Sequence, residues 1–127
     1  MPAAGHFSFS NVFALGICLL VHSHPAVAQQ KIDVQRMTKA EAASTYRTYA
    51  IMLAAFMNCE SVRLNEDDGD RLAYFGTVLN EKLGASTDET ERHFYGPAFT
   101  AANEDNTRFC KRYAPRVAGY ARRIPFR

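Results

Sequence analysis

The chain has 127 residues, 47% of them hydrophobic and 22% charged, with a formal net charge of +2. That balance excludes a disordered or low-complexity chain. The length leaves room for one small domain and excludes a separate cofactor domain or a barrel enzyme.

At the amino end, Val12 to Val21 (VFALGICLLV) is an uninterrupted apolar run. It is shorter than the ~20 residues that span a bilayer but suits the hydrophobic region of an export signal. Ala26, Val27 and Ala28 then supply the small-x-small triplet of a peptidase site, so residues 1–28 are expected to be removed and the mature chain to begin at Gln29. The basic residues usual before such a run are missing. An uncleaved anchor is the main alternative; a lipoprotein signal fits less well, because Ile17 precedes Cys18 where a small residue belongs. The expected organisation is a signal at 1–28, a flexible polar leader at 29–37, one helical domain at 38–124 and a tail at 125–127.

Removal of Cys18 leaves Cys59 and Cys110, and in an exported chain two remaining cysteines read as one disulfide. A redox or nucleophilic pair is the alternative, but no C-x-x-C is present and neither cysteine has a neighbouring histidine.

Thr38-Lys39-Ala40-Glu41 matches the capping box that opens a helix, and the Ala-, Met- and Leu-rich stretch to about Arg63 sustains it. Tyr46, Tyr49, Ala50, Leu53, Phe56 and Met57 recur at spacings of three and four, which places them on one buried face. Leu64 to Asp70 (LNEDDGD) reads as an acidic turn, with Asp70 capping a second helix that buries Leu72, Phe75, Leu79 and Leu83 and stops at Gly84. Ser86-Thr87-Asp88-Glu89 is a second capping box, and Gly96-Pro97 is expected to break or restart the helix it opens. From Ala98 the apolar pattern resumes through Phe109 and Tyr113, and beyond Pro115 it continues through Val117, Tyr120 and Ile124. No alternating strand pattern of useful length occurs. The predicted fold is all-α, a bundle of four to five helices stapled by one disulfide.

No catalytic constellation stands out. The acidic cluster at 65–70 has the wrong register for a calcium loop, with Leu64 and Phe75 where ligands are needed. His93 is the sole histidine after residue 28, which excludes zinc sites built on several histidines and reads as a surface or packing residue. The serines at 44, 61 and 86 lie in no nucleophile elbow, and the carboxylate pairs sit in polar stretches near helix starts. No metal or cofactor is expected, and an enzyme ranks third among the functional readings.

The informative feature is charge segregation. Glu60 to Asp105 holds 11 acids and 4 bases, whereas Arg108 to Arg127 holds 7 bases and no acid. On a helical wheel Phe109, Tyr113, Val117, Tyr120 and Ile124 share one sector, opposite the bases. One reading packs the aromatics in the core and sets the bases against the acidic helices. The other presents a basic face to an anionic envelope lipid, glycan or acidic protein. Phe109, Tyr113 and Tyr120 are the candidates for core or client contact, and Arg112, Arg116 and Arg123 for an anionic partner. The first functional reading is an exported binding protein acting on a protein partner or client, with a homodimer compatible with its apolar faces. An envelope-surface binder is the second. Nucleic acid is disfavoured by export.

Cys59-Glu60, the acidic segment after it, the pair Tyr74-Phe75, Cys110 and the basic ending resemble in layout the HdeA-type periplasmic acid-stress chaperones. The resemblance covers about Cys59 to Tyr113. It implies a small exported helical protein with one disulfide that binds unfolding clients when acid loosens it. The longer apolar first helix, Gly96-Pro97 and the Arg-rich end depart from that layout, and no client-binding position carries across. Loss of carboxylate charge near pH 4 would weaken any pairing between the acidic segment and the basic end.

Overall fold

The computed structural model describes residues 30–125. The predicted signal at 1–28, the cleavage point before Gln29 and the last two residues of the predicted tail lie outside the described residues. The elements are α1 (Lys39–Asn58), α2 (Glu66–Leu83), α3 (Thr87–Thr90), α4 (Gly96–Glu104), α5 (Asn106–Tyr113) and α6 (Val117–Arg123). A π turn (Glu91–Tyr95) carries α3 into α4, and a 3-10 turn (Ala114–Arg116) carries α5 into α6. No strand occurs among the described residues, and Cys59 is bonded to Cys110 with Cα atoms 5.5 Å apart. The protein is the all-α, disulfide-stapled bundle its sequence predicts.

Both capping boxes form. The Thr38 hydroxyl accepts from the Glu41 amide at 3.1 Å, and the Glu41 carboxylate accepts from the Thr38 amide at 2.7 Å. The same reciprocal pair joins Ser86 and Glu89. Asn65, not Asp70, caps α2, its side chain accepting from the Asp68 amide at 2.8 Å. The expected acidic turn is therefore the first turn of α2, where Glu66, Asp67 and Asp68 meet the positive end of the helix dipole. Gly84 ends α2 in the left-handed conformation at φ +61°, which suits a residue without Cβ.

The centre of the molecule is α1, which packs against α2, the π turn, α4, α5 and α6. Tyr46, Tyr49, Ala50, Met52, Ala54 and Ala55 are all buried, the short alanines letting neighbouring helices approach closely. Phe56 and Met57 depart from the predicted stripe: they are exposed on the outer side of α1, while Ala54, Ala55 and Cys59 are buried and the helix end is tied to α5. Tyr46 stacks on Phe94 at 4.3 Å, while Tyr49 meets Phe75 edge-on at 5.5 Å. The Tyr46 hydroxyl donates to Asn80 Oδ1 at 2.7 Å, and having one proton it accepts from the Tyr95 hydroxyl, 2.8 Å away. The Tyr49 hydroxyl donates to the Leu72 carbonyl at 2.8 Å.

Gly76 lets α2 approach this hydroxyl cluster. A Cβ there would lie 2.9 Å from the Tyr95 oxygen and 3.1 Å from that of Tyr49, and hydrogen bonds hold the Tyr49 and Tyr95 hydroxyls in place. Gly76→Ala is expected to destabilise the fold by about 1–2 kcal/mol, the overpacking outweighing the gain in helix propensity. Gly69→Ala, where a Cβ meets nothing within 4 Å, should instead stabilise by about 0.5–1 kcal/mol. Urea denaturation of the two variants checks this opposition of signs.

Gly96-Pro97 restarts the helix, since α4 begins at Gly96 directly after the π turn. The Gly96 amide donates five residues back to the Glu91 carbonyl, and the widened π turn accommodates a proline that has no amide proton to give. A Cβ at residue 96 would lie 2.7 Å from the Glu91 oxygen, so glycine is needed there.

The expected loose leader is corrected over residues 30–37, which pack on the bundle. Ile32 and Val34 are buried, and the Ile32 amide donates to the Arg123 carbonyl at 2.8 Å. The Arg123 Nε donates back to the Gln30 carbonyl at 3.0 Å, and Lys31 Nζ donates to the Arg122 carbonyl at 2.5 Å. Average polarity conceals the two apolar side chains that seat this segment.

Candidate binding site

A groove of about 220 Å³ runs between α1, the π turn, α4 and α5. Its floor is apolar because Ile51, Phe94 and Phe109 converge there, and because Ala98 and Ala101 are too short to fill it. The disulfide fixes one end of this arrangement by tying the end of α1 to α5, where Asn106 Nδ2 also donates to the Asn58 carbonyl at 3.2 Å. Pro97, enabled by the π turn, forms part of the same wall.

The rim is basic. Arg47 lines the groove with its guanidinium carbon 5.9 Å from the centre of the Phe94 ring, and His93 stands beside it. Tyr113, half-buried at the mouth, has the guanidinium of Arg112 at 5.1 Å and that of Arg116 at 5.9 Å from its ring centre. No carboxylate lines the groove. The ion pairs among the described residues are Asp33 with Arg36 and Asp68 with Arg71. None of these pairs joins the basic carboxyl-terminal segment to the acidic helices; Arg112 and Arg116 instead face solvent over the Tyr113 ring. Guanidinium over a ring keeps its charge available while covering apolar surface.

The structure divides the predicted site residues. Phe109 and Tyr113 meet in the groove, with ring centres 4.8 Å apart, and Arg112 and Arg116 stand over Tyr113. Tyr120 does not join them. It lies in the core with its ring 6.3 Å from Phe75, and its hydroxyl is shielded from water without a hydrogen-bond partner. Burial pushes that hydroxyl's pKa well above the usual phenol value, partly offset by the Arg123 charge. Arg123 is half-buried and engaged with Gln30 and Ile32, away from the pair at Tyr113. The 3-10 turn at Pro115 causes this split, because it rotates α6 out of the continuous wheel that aligned all five apolar residues.

The chain matches no family model, no curated protein and no solved structure.

Arg47 and His93 belong to the rim, although no motif in the chain marks a site there. The available hint was Arg47 one helical turn before Ile51, with Arg47 adjoining the buried run of α1. The disulfide is compatible with an oxidising compartment, and among the described residues no helix is long and apolar enough to cross a membrane.

Proposed function

We propose that this is a small exported binding protein that works without a catalytic step, taking a protein partner or client in the groove between α1, α4 and α5. The occupant that fits is an acidic segment with one apolar face, such as an amphipathic helix. Its apolar side chains would cover Phe94 and Phe109, and its carboxylates would meet Arg47, Arg112 and Arg116. The observation that carries this reading is the pairing of an apolar floor with guanidinium groups that stack on its rings and have no carboxylate partner among the described residues. A chaperone-like or inhibitor-like role in the periplasm accords with the layout shared with HdeA-type proteins and with the export signal read from residues 1–28.

Fluorescence anisotropy with two labelled peptides tests it, one amphipathic with an acidic polar face and one with that face made basic. The acidic peptide is expected to bind at low salt and to weaken as salt rises, since exposed charge pairs are screened within about 8 Å at physiological ionic strength. Tyr113→Ala should weaken binding about tenfold or more, in the range of an interface anchor. Arg112→Gln should flatten the salt dependence. Equal affinity for the two peptides, or unchanged affinity in Tyr113→Ala, would remove the groove from consideration.

A further inference from the structure

A second basic site lies where α6 meets α1. Arg116, Arg122 and Arg123 line one shallow cavity of about 360 Å³ together with Thr48 and Gly119. No carboxylate lines it, and none of the three arginines forms an ion pair among the described residues. The Arg123 guanidinium is fixed by its Nε bond to the Gln30 carbonyl at 3.0 Å. Arg122 lies back along α6, since a Cβ on Gly119 would sit 3.9 Å from its Nη2. A methyl group at residue 119 would meet it only in ordinary van der Waals contact, so the position tolerates alanine. Thr48 also lines the cavity, but its hydroxyl proton is directed to the Ser44 carbonyl at 3.5 Å, which leaves the arginines as the donors. The carboxylate on the adjoining surface is Asp33, which lines the neighbouring depression and pairs with Arg36 at 3.4 Å.

Arg116, Arg122 and Arg123 bring three positive charges to the lining of one open cavity that holds no carboxylate, and an anion entering it would offset their repulsion. Their planar, forked donors match the tetrahedral oxygens of a phosphate better than a single carboxylate, which two of them would saturate. We propose that this cavity binds a phosphate group, supplied either as free inorganic phosphate or as the head group of an anionic lipid. Its shallowness suits a group that is hydrated or esterified on one side. The site is separate from the groove, sharing Arg116 with the rim over Tyr113 but centred on Arg122 and Gly119.

The test has two arms on the full chain. Sodium phosphate is titrated against sodium chloride at equal ionic strength, following NMR shifts of residues 116–123. In parallel, the chain is sedimented with vesicles of phosphatidylglycerol or of phosphatidylcholine, the second subtracting any contribution of the apolar run Val12 to Val21. Saturable shifts with phosphate identify the free ion as ligand, and selective sedimentation with phosphatidylglycerol without them identifies the lipid head group. In either case Arg122→Gln should weaken binding about tenfold, as expected for loss of one charge-assisted contact. Gly119→Glu, which places a carboxylate among the three arginines, should abolish it, whereas Gly119→Ala should retain it and serves as the control for folding. The proposal is overturned if neither ligand acts beyond its control, or if binding survives both Arg122→Gln and Gly119→Glu.

Discussion

Raising the pH above about 10 is expected to unfold this protein cooperatively, with a steep dependence on alkali. Tyr46, Tyr49 and Tyr120 each have a hydroxyl pKa raised far above the ordinary value of 10.0, chiefly because burial disfavours the phenolate. In the unfolded chain the same groups ionise near 10. Above that pH the unfolded state binds fewer protons than the native state, so stability is fully present below pH 10 and falls as pH rises. Each tyrosine contributes a slope of about 1.4 kcal/mol per pH unit, and the three together about 4. A small domain holds only ~5–15 kcal/mol, so about two pH units remove much of it. Circular dichroism and tyrosinate absorbance should therefore change together for these residues. Tyr46→Phe keeps the ring against Phe94 and removes one titrating group, so the slope should fall by about a third even though Asn80 loses its donor at neutral pH. Ionisation of all three without loss of helix would contradict the burial on which the argument stands.

Removing the disulfide should produce the other large effect. Cys59 caps α1 and Cys110 lies in α5, 51 positions later, and the segment between them contains α2, α3, the π turn and α4. In the chain-entropy account a loop of this size constrains the unfolded state by about 4 kcal/mol. Cys59→Ala with Cys110→Ala is accordingly expected to lower the melting temperature by roughly 15–30 °C. The wild-type protein melted under reducing conditions should match the double variant. A fall of only a few degrees would mean that the Asn106 bond to the Asn58 carbonyl and the packing of Phe109 already hold α5 against α1. Because groove walls α1 and α5 are the elements tied by the bond, reduced protein should also lose peptide affinity before it loses helix content.

Much of the fold was legible in the sequence because it depends on short-range chemistry. The capping boxes at Thr38 and Ser86 and the glycine stop at Gly84 need only a few neighbouring residues to form, and all three are present. The start of α2 was misplaced because Asn, Glu, Asp and Gly together resemble a turn. Their effect depends on direction: acids in a first helical turn meet unsatisfied amides and stabilise it. Phe109 and Tyr113 were found as a pair because they are one turn apart on a single helix. Tyr120 and Arg123 were grouped with them on a wheel that assumes an unbroken axis, which Pro115 interrupts. Arg47 and Phe94 could not be brought together by inspection, since their approach depends on a π turn stabilised by the missing Cβ of Gly96.

The seating of Ile32 against Arg123 carries a consequence for how the polypeptide is made. Residues at the front of the packed unit complete their hydrogen bonds only with α6, more than ninety positions later, as the Lys31 to Arg122 and Arg123 to Gln30 bonds record. A chain emerging amino end first therefore cannot close this structure until α6 has been made. Such wide sequence separation slows closure relative to purely local helix formation. The same adjacency makes a circular permutant practicable, with a short flexible linker joining the two edges and new ends opened in the exposed link between α2 and α3.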